Sequence, residues 1–507
     1  MQINEVEQYK QLTPFSVFLE SFKKSMNHVF HTRENIDEFS LRRGIPPFVL
    51  REIMNTNPLS AAIPETYGGR GGHVPECLAI LETASYESLA LSLTIGINLA
   101  LFLIPVAKYA DEQVRESVFK DFLEDKKMGG LMITEPDYGS DALHMQTSYS
   151  HQNGHYHLKG TKHWAGLTGW ADYWLLTARR QTKSGDLMRD IDFFICNVNA
   201  PDQHIVVDEY FNNLGLYMIP YGRNIIDVKI PEIQKLTPRT NGVGMMLDVL
   251  NRSRLMMPGM GMGFVKRMLD EAIQHTQQRN IGRSTLSDYD QVQQRLSRIQ
   301  GAFTILSAMC VYSSKHAERE KDVSGKGLEA NILKTVNTDL MQESAQSLLQ
   351  LVGAEGYKID HIAGRGIIDS RPFQIFEGSN DILYVQITEA VMKMMRKKKE
   401  PNLLAFLKTY PLSDRAHDHV KDMINFKPDP GMSQRKQVEL GRAIAYVFTI
   451  GLLMELEDDG FRKDLIEGAR IMLQQDITKM IGAYNFGNET TVVEDYNDNS
   501  SWFDSIP

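Results

Sequence analysis

The sequence predicts an α+β protein in which a β module separates two helical regions, with a further helical segment behind the second. Three observations predict this. Apolar residues recur at three and four up to about Lys127, the period falls to two between Gly129 and about Leu236, and long runs of leucine, alanine and methionine at helical spacing return from about Gly242. The boundaries that follow are 1–128 for an N-terminal helical domain, 129–238 for a β domain, 239–399 for a C-terminal helical bundle and 400–507 for an added helical segment with a polar tail. A length of 507 residues exceeds one ordinary core, in keeping with several domains.

In chain order, Phe15 to Phe30 has helical spacing, and Arg51-Glu52-Ile53-Met54 leads into Ile63-Pro64-Glu65-Thr66-Tyr67-Gly68-Gly69-Arg70-Gly71-Gly72. Four glycines in five residues exclude helix interior there. Ser88 to Ala107 carries no charge and is long enough to span a bilayer, but Ser92, Thr94, Asn98 and Pro105 favour a buried core helix. Asp111 to Glu124 follows as a helix. Strands are predicted at His155–Gly160, Tyr173–Ala178, Asp192–Val198 and Ile225–Ile230, each closed by Gly, Asn or Pro. Helices return at Phe264–Gln278, Tyr289–Glu318, Gly327–Val352 and Asn380–Lys397. Beyond residue 400, Leu440–Leu456 is apolar and Lys463–Met480 amphipathic. The uncharged stretch Ala443–Met454 reaches only about 18 Å against a ~30 Å hydrocarbon core, so burial within the protein is expected. Glu494 to Ser501 is polar and expected to be disordered.

The net charge of −9 disfavours nucleic acid or an anionic membrane as the main partner. The basic run Arg396-Lys397-Lys398-Lys399 reads as a solvated helix end. Three dispersed cysteines, Cys77, Cys196 and Cys310, form no metal or disulfide pattern and suit a reducing compartment. Met1-Gln2-Ile3-Asn4-Glu5-Val6-Glu7 lacks the features of a signal peptide, and a cytoplasmic location is expected.

Two runs carry chemistry. In Thr134-Glu135-Pro136-Asp137-Tyr138-Gly139-Ser140-Asp141, Pro136 ends any regular element, Gly139 lets the backbone approach a ligand, and Ser140 can donate to phosphate oxygens. Alone, the run reads more readily as an ordinary hydroxyl-rich turn. In Gln374-Ile375-Phe376-Glu377-Gly378-Ser379-Asn380-Asp381 an apolar approach delivers a carboxylate, and burial raises a carboxylate pKa toward the range of a general base. Gly378 leaves room beside it; alone, the run is also a loop before a helix capped by Ser379 or Asn380. Between the two lies Gly160-Thr161-Lys162-His163-Trp164-Ala165-Gly166, whose tryptophan is placed to pack on a planar ring or within the core.

Together these runs resemble the acyl-CoA dehydrogenase family. Pro64-Glu65-Thr66-Tyr67-Gly68-Gly69-Arg70-Gly71 is similar to its P-E-x-Y-G-G-x-G turn, and Thr134 to Asp141 to its T-E-P-x-A-G-S-D, with Tyr138 for a small residue. Leu349-Gln350-Leu351-Val352-Gly353-Ala354-Glu355-Gly356-Tyr357 is similar to L-Q-x-x-G-G-x-G-Y, and Phe376-Glu377-Gly378-Ser379 to Y-E-G-T. Order and spacing agree from roughly residue 20 to 395, and the segment after 400 lies outside the usual family core.

The resemblance implies an N-terminal helical domain, a middle β-barrel, a C-terminal four-helix bundle and bound FAD. It implies that Thr134, Gly139, Ser140 and Ser379 hold the cofactor and that Trp164 packs on the flavin. Arg279, Gln350 and Gly353 would reach the FAD of a neighbouring subunit in a homodimer or homotetramer. Arg254 and Gly378 would border the substrate, and no metal is implied. Some members carry the base just before an arginine that here looks like Arg254; Ser253 stands at that position, which leaves Glu377. The implied reaction is α,β-dehydrogenation of an acyl thioester, on coenzyme A or an acyl carrier protein. Glu377 takes the α-proton, its backbone N–H and a ribityl hydroxyl bind the thioester oxygen, and hydride passes to flavin N5.

The electron acceptor is expected to be an electron-transfer flavoprotein. Two alternatives stay open: an acyl-CoA oxidase passing electrons to oxygen, and a non-catalytic flavin-binding regulatory member. Trp164-Ala165-Gly166-Leu167 stands where the family has W-I-T-N, which places Gly166 where a threonine would meet N5 and gives the oxidase-like form. Departures at Arg279-Asn280-Ile281-Gly282-Arg283 and Tyr289-Asp290-Gln291-Val292-Gln293 fall at the adenine end. Met256, Met257, Met260 and Met262 are read as core filler or as an acyl-channel lining.

Overall fold

The computed structural model describes residues 13–487 and 491–506, apart from the side chain of Phe39. The opening run Met1 to Glu7, read for a leader, lies outside them. The order is helices, sheet, helices. The Val74–Glu87 helix packs on Gly242–Gln278, the central helix of the bundle. Gly259 and Gly263 make that packing close: a Cβ on Gly263 would overlap the Glu82 carbonyl, and one on Gly259 would lie 2.8 Å from the Leu78 carbonyl oxygen.

The apolar stretch after Ser88 is not one regular helix. Leu89–Gly96 is α-helical, Ile97–Leu103 widens into a π-helix, and Ile104–Tyr109 is α-helical again. Pro105 has no N–H to return to the Leu101 carbonyl, and the turn before it widens. Asn98 within it bonds the Thr94 carbonyl at 2.8 Å and accepts from the Gly129 N–H at 2.7 Å, tying the helical domain to the sheet. This segment and Gln434–Asp458 have the length and composition of membrane spans, yet both are largely buried within the fold.

Seven strands make one curled sheet: β1 (Gly129–Met132), β2 (Ser148–Gln152), β3 (His155–His163), β4 (Tyr173–Arg180), β5 (Asp192–Asn197), β6 (Val206–Tyr210) and β7 (Gly222–Pro231). The order is β1-β4-β2-β3-β7-β6, with β5 also pairing β4. β4 shows no alternation because nearly every residue in it is buried. β1, β2 and β6 are too short or too polar to stand out by pattern, and the sequence reading lacks them.

The bundle comprises Gly242–Gln278, Asp290–His316, Gly327–Val352 and Asn380–Lys398. The first begins 22 residues before the Phe264 that periodicity suggests (264 − 242). It is buried on nearly all sides up to that point, which erases the polar face the pattern needs. Behind the bundle, Gln434–Asp458 packs on Asn380–Lys398, and Lys463–Asn485 on both Gln434–Asp458 and Asp290–His316. Arg298 joins Glu343 and Asp476 across this seam. Residues 491–506 are exposed.

Gly441 sits where the Gln434–Asp458 helix crosses Asn380–Lys398, and a Cβ there would overlap the Tyr384 carbonyl. Gly441→Val is expected to lower stability by about 1–3 kcal/mol through overpacking, read as an earlier urea midpoint. An unchanged midpoint would show that this seam is not tightly packed.

Candidate active site

Glu377 follows a short helical turn, Arg371–Gln374, and precedes the Asn380–Lys398 helix, whose N-cap is Ser379 without a side-chain cap bond. Its backbone is left-handed, with φ of +54°. A non-glycine residue there costs about 1–3 kcal/mol and persists only where its surroundings hold it. They do so here. Arg254 donates to the Glu377 carbonyl from Nε at 3.1 Å and NH2 at 2.6 Å. Lys334, fully buried, donates to the next carbonyl, that of Gly378, at 2.8 Å and to Asn380 Oδ1 at 2.7 Å. Gly378 is also left-handed, and a Cβ on it would press on Leu383 at 3.0 Å, so glycine is required there twice over.

Glu377 is half-buried, and its carboxylate oxygen Oε2 is fully buried. Oε1 accepts from the Ser253 hydroxyl at 2.7 Å, while Oε2 has no partner. Burial pushes the carboxyl above the usual carboxylate range, against the Ser253 hydroxyl and the Arg254 and Lys334 charges. Burial likewise pushes Lys334 down to about 7, against the pull of Glu377.

Glu377 opens on a cleft of about 410 Å³ between the bundle, the sheet and the π-helix. The sheet wall bears Thr134, Gly139, Ser140, His163, Trp164 and Gly166; the bundle wall bears Arg254, Glu377 and Gly378. Trp164 is left-handed (φ +56°) and 53% exposed, with its N–H bonded to the Gly222 carbonyl at 3.0 Å and its ring 4.5 Å from that of Phe211. An aromatic face left open in a cleft suits a planar ring. Gly139 has open space where a Cβ would be, as a backbone that meets a phosphate requires. These residues fit FAD.

Two segments of that wall are locked together from behind. The His163 N–H bonds the Thr134 carbonyl at 2.8 Å. Beneath it, Lys162 donates to Glu135 at 3.0 Å, to Thr177 Oγ1 and to the Ile133 carbonyl, while Glu135 also accepts from the N–H groups of Gln146 and Thr147. Burial pushes Lys162 down to about 8 against the pull of Glu135. Burial would raise Glu135, but Lys162 and the two N–H donors hold it below the usual range.

The structure thus brings Thr134, Gly139, Ser140, Trp164, Arg254, Glu377 and Gly378 to one cleft. Ser379 lies beside it rather than on its lining. Arg279, Gln350 and Gly353 gather instead, exposed, at another end of the bundle, where His275 bonds the Leu351 backbone. Met256, Met257, Met260 and Met262 are core, and the apolar lining includes Leu93, Ile97, Leu101, Met246 and Leu250. At Gly166 the space of a side chain is filled by Ile97, whose Cδ1 lies 2.9 Å from the Cβ position. Sequence reasoning missed Lys334; a lysine in a helix that also carries Asn331, Thr335, Asn337 and Asp339 gave no signal.

Family models agree with this arrangement. The N-terminal, middle and C-terminal domain models of acyl-CoA dehydrogenase match residues 20–126, 130–227 and 240–392. An acyl-CoA dehydrogenase of Bacillus subtilis (strain 168) is 26% identical over 372 residues, 71% of this chain and 92% of that protein. The CarC subunit of a caffeyl-CoA reductase–Etf complex from Acetobacterium woodii is 25% identical over 71% of this chain and 94% of its own. The structure of an acyl-CoA dehydrogenase complexed with FAD from Bacillus anthracis superposes with a TM-score of 0.75 at 18% identity, covering 94% of this chain and 88% of that one, so the fold it shares extends past residue 400. The chain belongs to the acyl-CoA dehydrogenase family. It is an FAD-dependent oxidoreductase of that family.

Glu135→Ala leaves Lys162 buried without its partner, which costs about 3–5 kcal/mol. An earlier urea midpoint and loss of FAD absorbance on gel filtration are expected; full retention of both would show that the pair does not hold the cofactor wall.

Proposed function

We propose that this protein removes the α-proton and β-hydride of an acyl thioester, carried on coenzyme A or an acyl carrier protein, with Glu377 as the base. The observation that supports this best is a carboxylate on a rigid left-handed turn, with one oxygen buried and unpaired, across a cleft from an open indole face. Bound FAD supplies the hydride acceptor. Thr134, Gly139 and Ser140 hold its phosphate end and Trp164 its ring. The Glu377 carboxylate receives the α-proton, while Arg254 keeps the residue from turning away. The Glu377 main-chain N–H meets no backbone carbonyl among the described residues and is free for the thioester oxygen, whose charge grows as the proton leaves. Leu93, Ile97, Leu101, Met246 and Leu250 exclude water from the acyl chain.

The electron acceptor in this reading is an electron-transfer flavoprotein, supported by the relative named as part of an Etf complex. The exposed Arg279, Gln350 and Gly353, which would complete a neighbour's cofactor site, support a homodimer or homotetramer, and three free, dispersed cysteines fit a reducing, cytoplasmic location. A second reading, an oxidase, is favoured by Gly166 with Ile97 against it, and hydrogen peroxide release under air distinguishes it.

Glu377→Gln is expected to retain FAD yet reduce its flavin with acyl thioesters about 10²–10⁴-fold more slowly, the usual worth of a positioned base. Near wild-type reduction in anaerobic rapid mixing would place the base elsewhere. Because burial raises the Glu377 carboxyl, the wild-type reduction rate is expected to fall with decreasing pH through a limb above the ordinary carboxylate range, since only the ionised form accepts the proton. A limb at or below pH 4 would contradict this.

A further inference from the structure

Ser253 has a bond unlike those of several other hydroxyls in these helices. Thr276, Thr304, Ser314 and Thr335 each donate to the carbonyl one turn back in their own helix. Ser253, buried in the middle of Gly242–Gln278, crosses to another element and donates to Glu377 Oε1 at 2.7 Å. The adjacent residue, Arg254, grips the carbonyl of the same glutamate. One turn of helix therefore fixes both the main chain and the side chain of Glu377. A carboxylate on a held backbone still rotates about its side-chain bonds, and nothing but Ser253 bonds its oxygens among the described residues.

We propose that Ser253 is a positioning residue for the base: its hydroxyl holds Oε1 and so fixes the orientation of the carboxylate, leaving Oε2 as the unbonded oxygen. This rests on the assignment of Glu377 as base. A carboxylate with one anchored oxygen keeps a single orientation, whereas an unanchored one turns among orientations of which only some reach the α-carbon. The hydroxyl also stabilises the ionised form that does the work. The charges around Glu377 are Arg254 from the same helix and Lys334 from Gly327–Val352, with Asp339 behind Lys334; the sheet wall of the cleft adds Asp141 and His163. None of them bonds Oε1 or Oε2.

The test uses the FAD-loaded full chain and two readouts. In Ser253→Ala the acid limb of flavin reduction is expected to move up by about one pH unit, the worth of one hydrogen bond to a charged group, with about tenfold slower reduction below the limb. Ser253→Thr, which keeps the hydroxyl, is expected to restore the wild-type limb. Independently of turnover, the Glu377 carboxyl stretch, identified in infrared difference spectra by its loss in Glu377→Gln, should titrate higher in Ser253→Ala. Coincident limbs and coincident infrared titrations for wild type and Ser253→Ala would overturn the proposal. If acyl thioesters fail to reduce even the wild-type flavin, the proposed function fails, while the infrared titration still decides whether Ser253 acts on Glu377.

Discussion

Two basic side chains, the buried Lys334 and the half-buried Arg254, hold two consecutive carbonyls, and the rest of the site depends on that grip. Arg254 takes the carbonyl of Glu377 and Lys334 that of Gly378, so the chain stays in a left-handed turn that a glutamate would otherwise leave. Each cation is itself fixed. Arg254 also donates to Asn331 at 2.9 Å. Lys334 shares Asn380 with Thr338, and Asn380 donates to Asp339, which accepts from Tyr384 at 2.7 Å. Burying charges is costly unless their hydrogen bonds are satisfied, and here carbonyl and amide oxygens do so. The bundle thus spends its polar interior on orienting one loop.

That network continues into the added C-terminal helices. Tyr384 lies beneath the Arg442 guanidinium, 5.3 Å from its ring centre, and Thr388 donates to the Gln437 carbonyl at 2.7 Å. The Gln434–Asp458 helix therefore backs the helix that begins just after the base. On the facing wall the Lys162–Glu135 pair has a comparable role, holding Thr134 against His163 so that the turn after Glu135 and the indole of Trp164 face the same space. Both walls of the cleft are stiffened by buried charge behind an otherwise apolar lining.

Much of this was legible in the sequence for identifiable reasons. The α–β–α order follows from periodicity because most helices have one wet face, and Gly327–Val352 is bounded as its pattern suggests. Periodicity failed where burial is complete: the first half of Gly242–Gln278 has no polar stripe, and Ile97–Leu103 departs from the α-helix under the constraint of a proline. Glu377 stood out because a carboxylate after Ile375 and Phe376 is anomalous. Its partners did not stand out, since a serine and a lysine inside long helices look like any others until the fold places them 2.7 Å from the base or against the carbonyl beside it. In the sequence Ser253 is only a position lacking a carboxylate; its hydroxyl bond to one is a property of the packing.

Catalysis by Glu377 depends most directly on where its side chain lies relative to a bound substrate. A crystal structure of the Glu377→Gln protein with FAD and an acyl-CoA measures it. Residue 377 is expected to keep its left-handed backbone, with a side-chain amide atom about 3–3.5 Å from the substrate α-carbon, the separation of a near-attack geometry. A substrate whose α-carbon lies beyond that reach, with another carboxylate against it, would show that Glu377 is not the base.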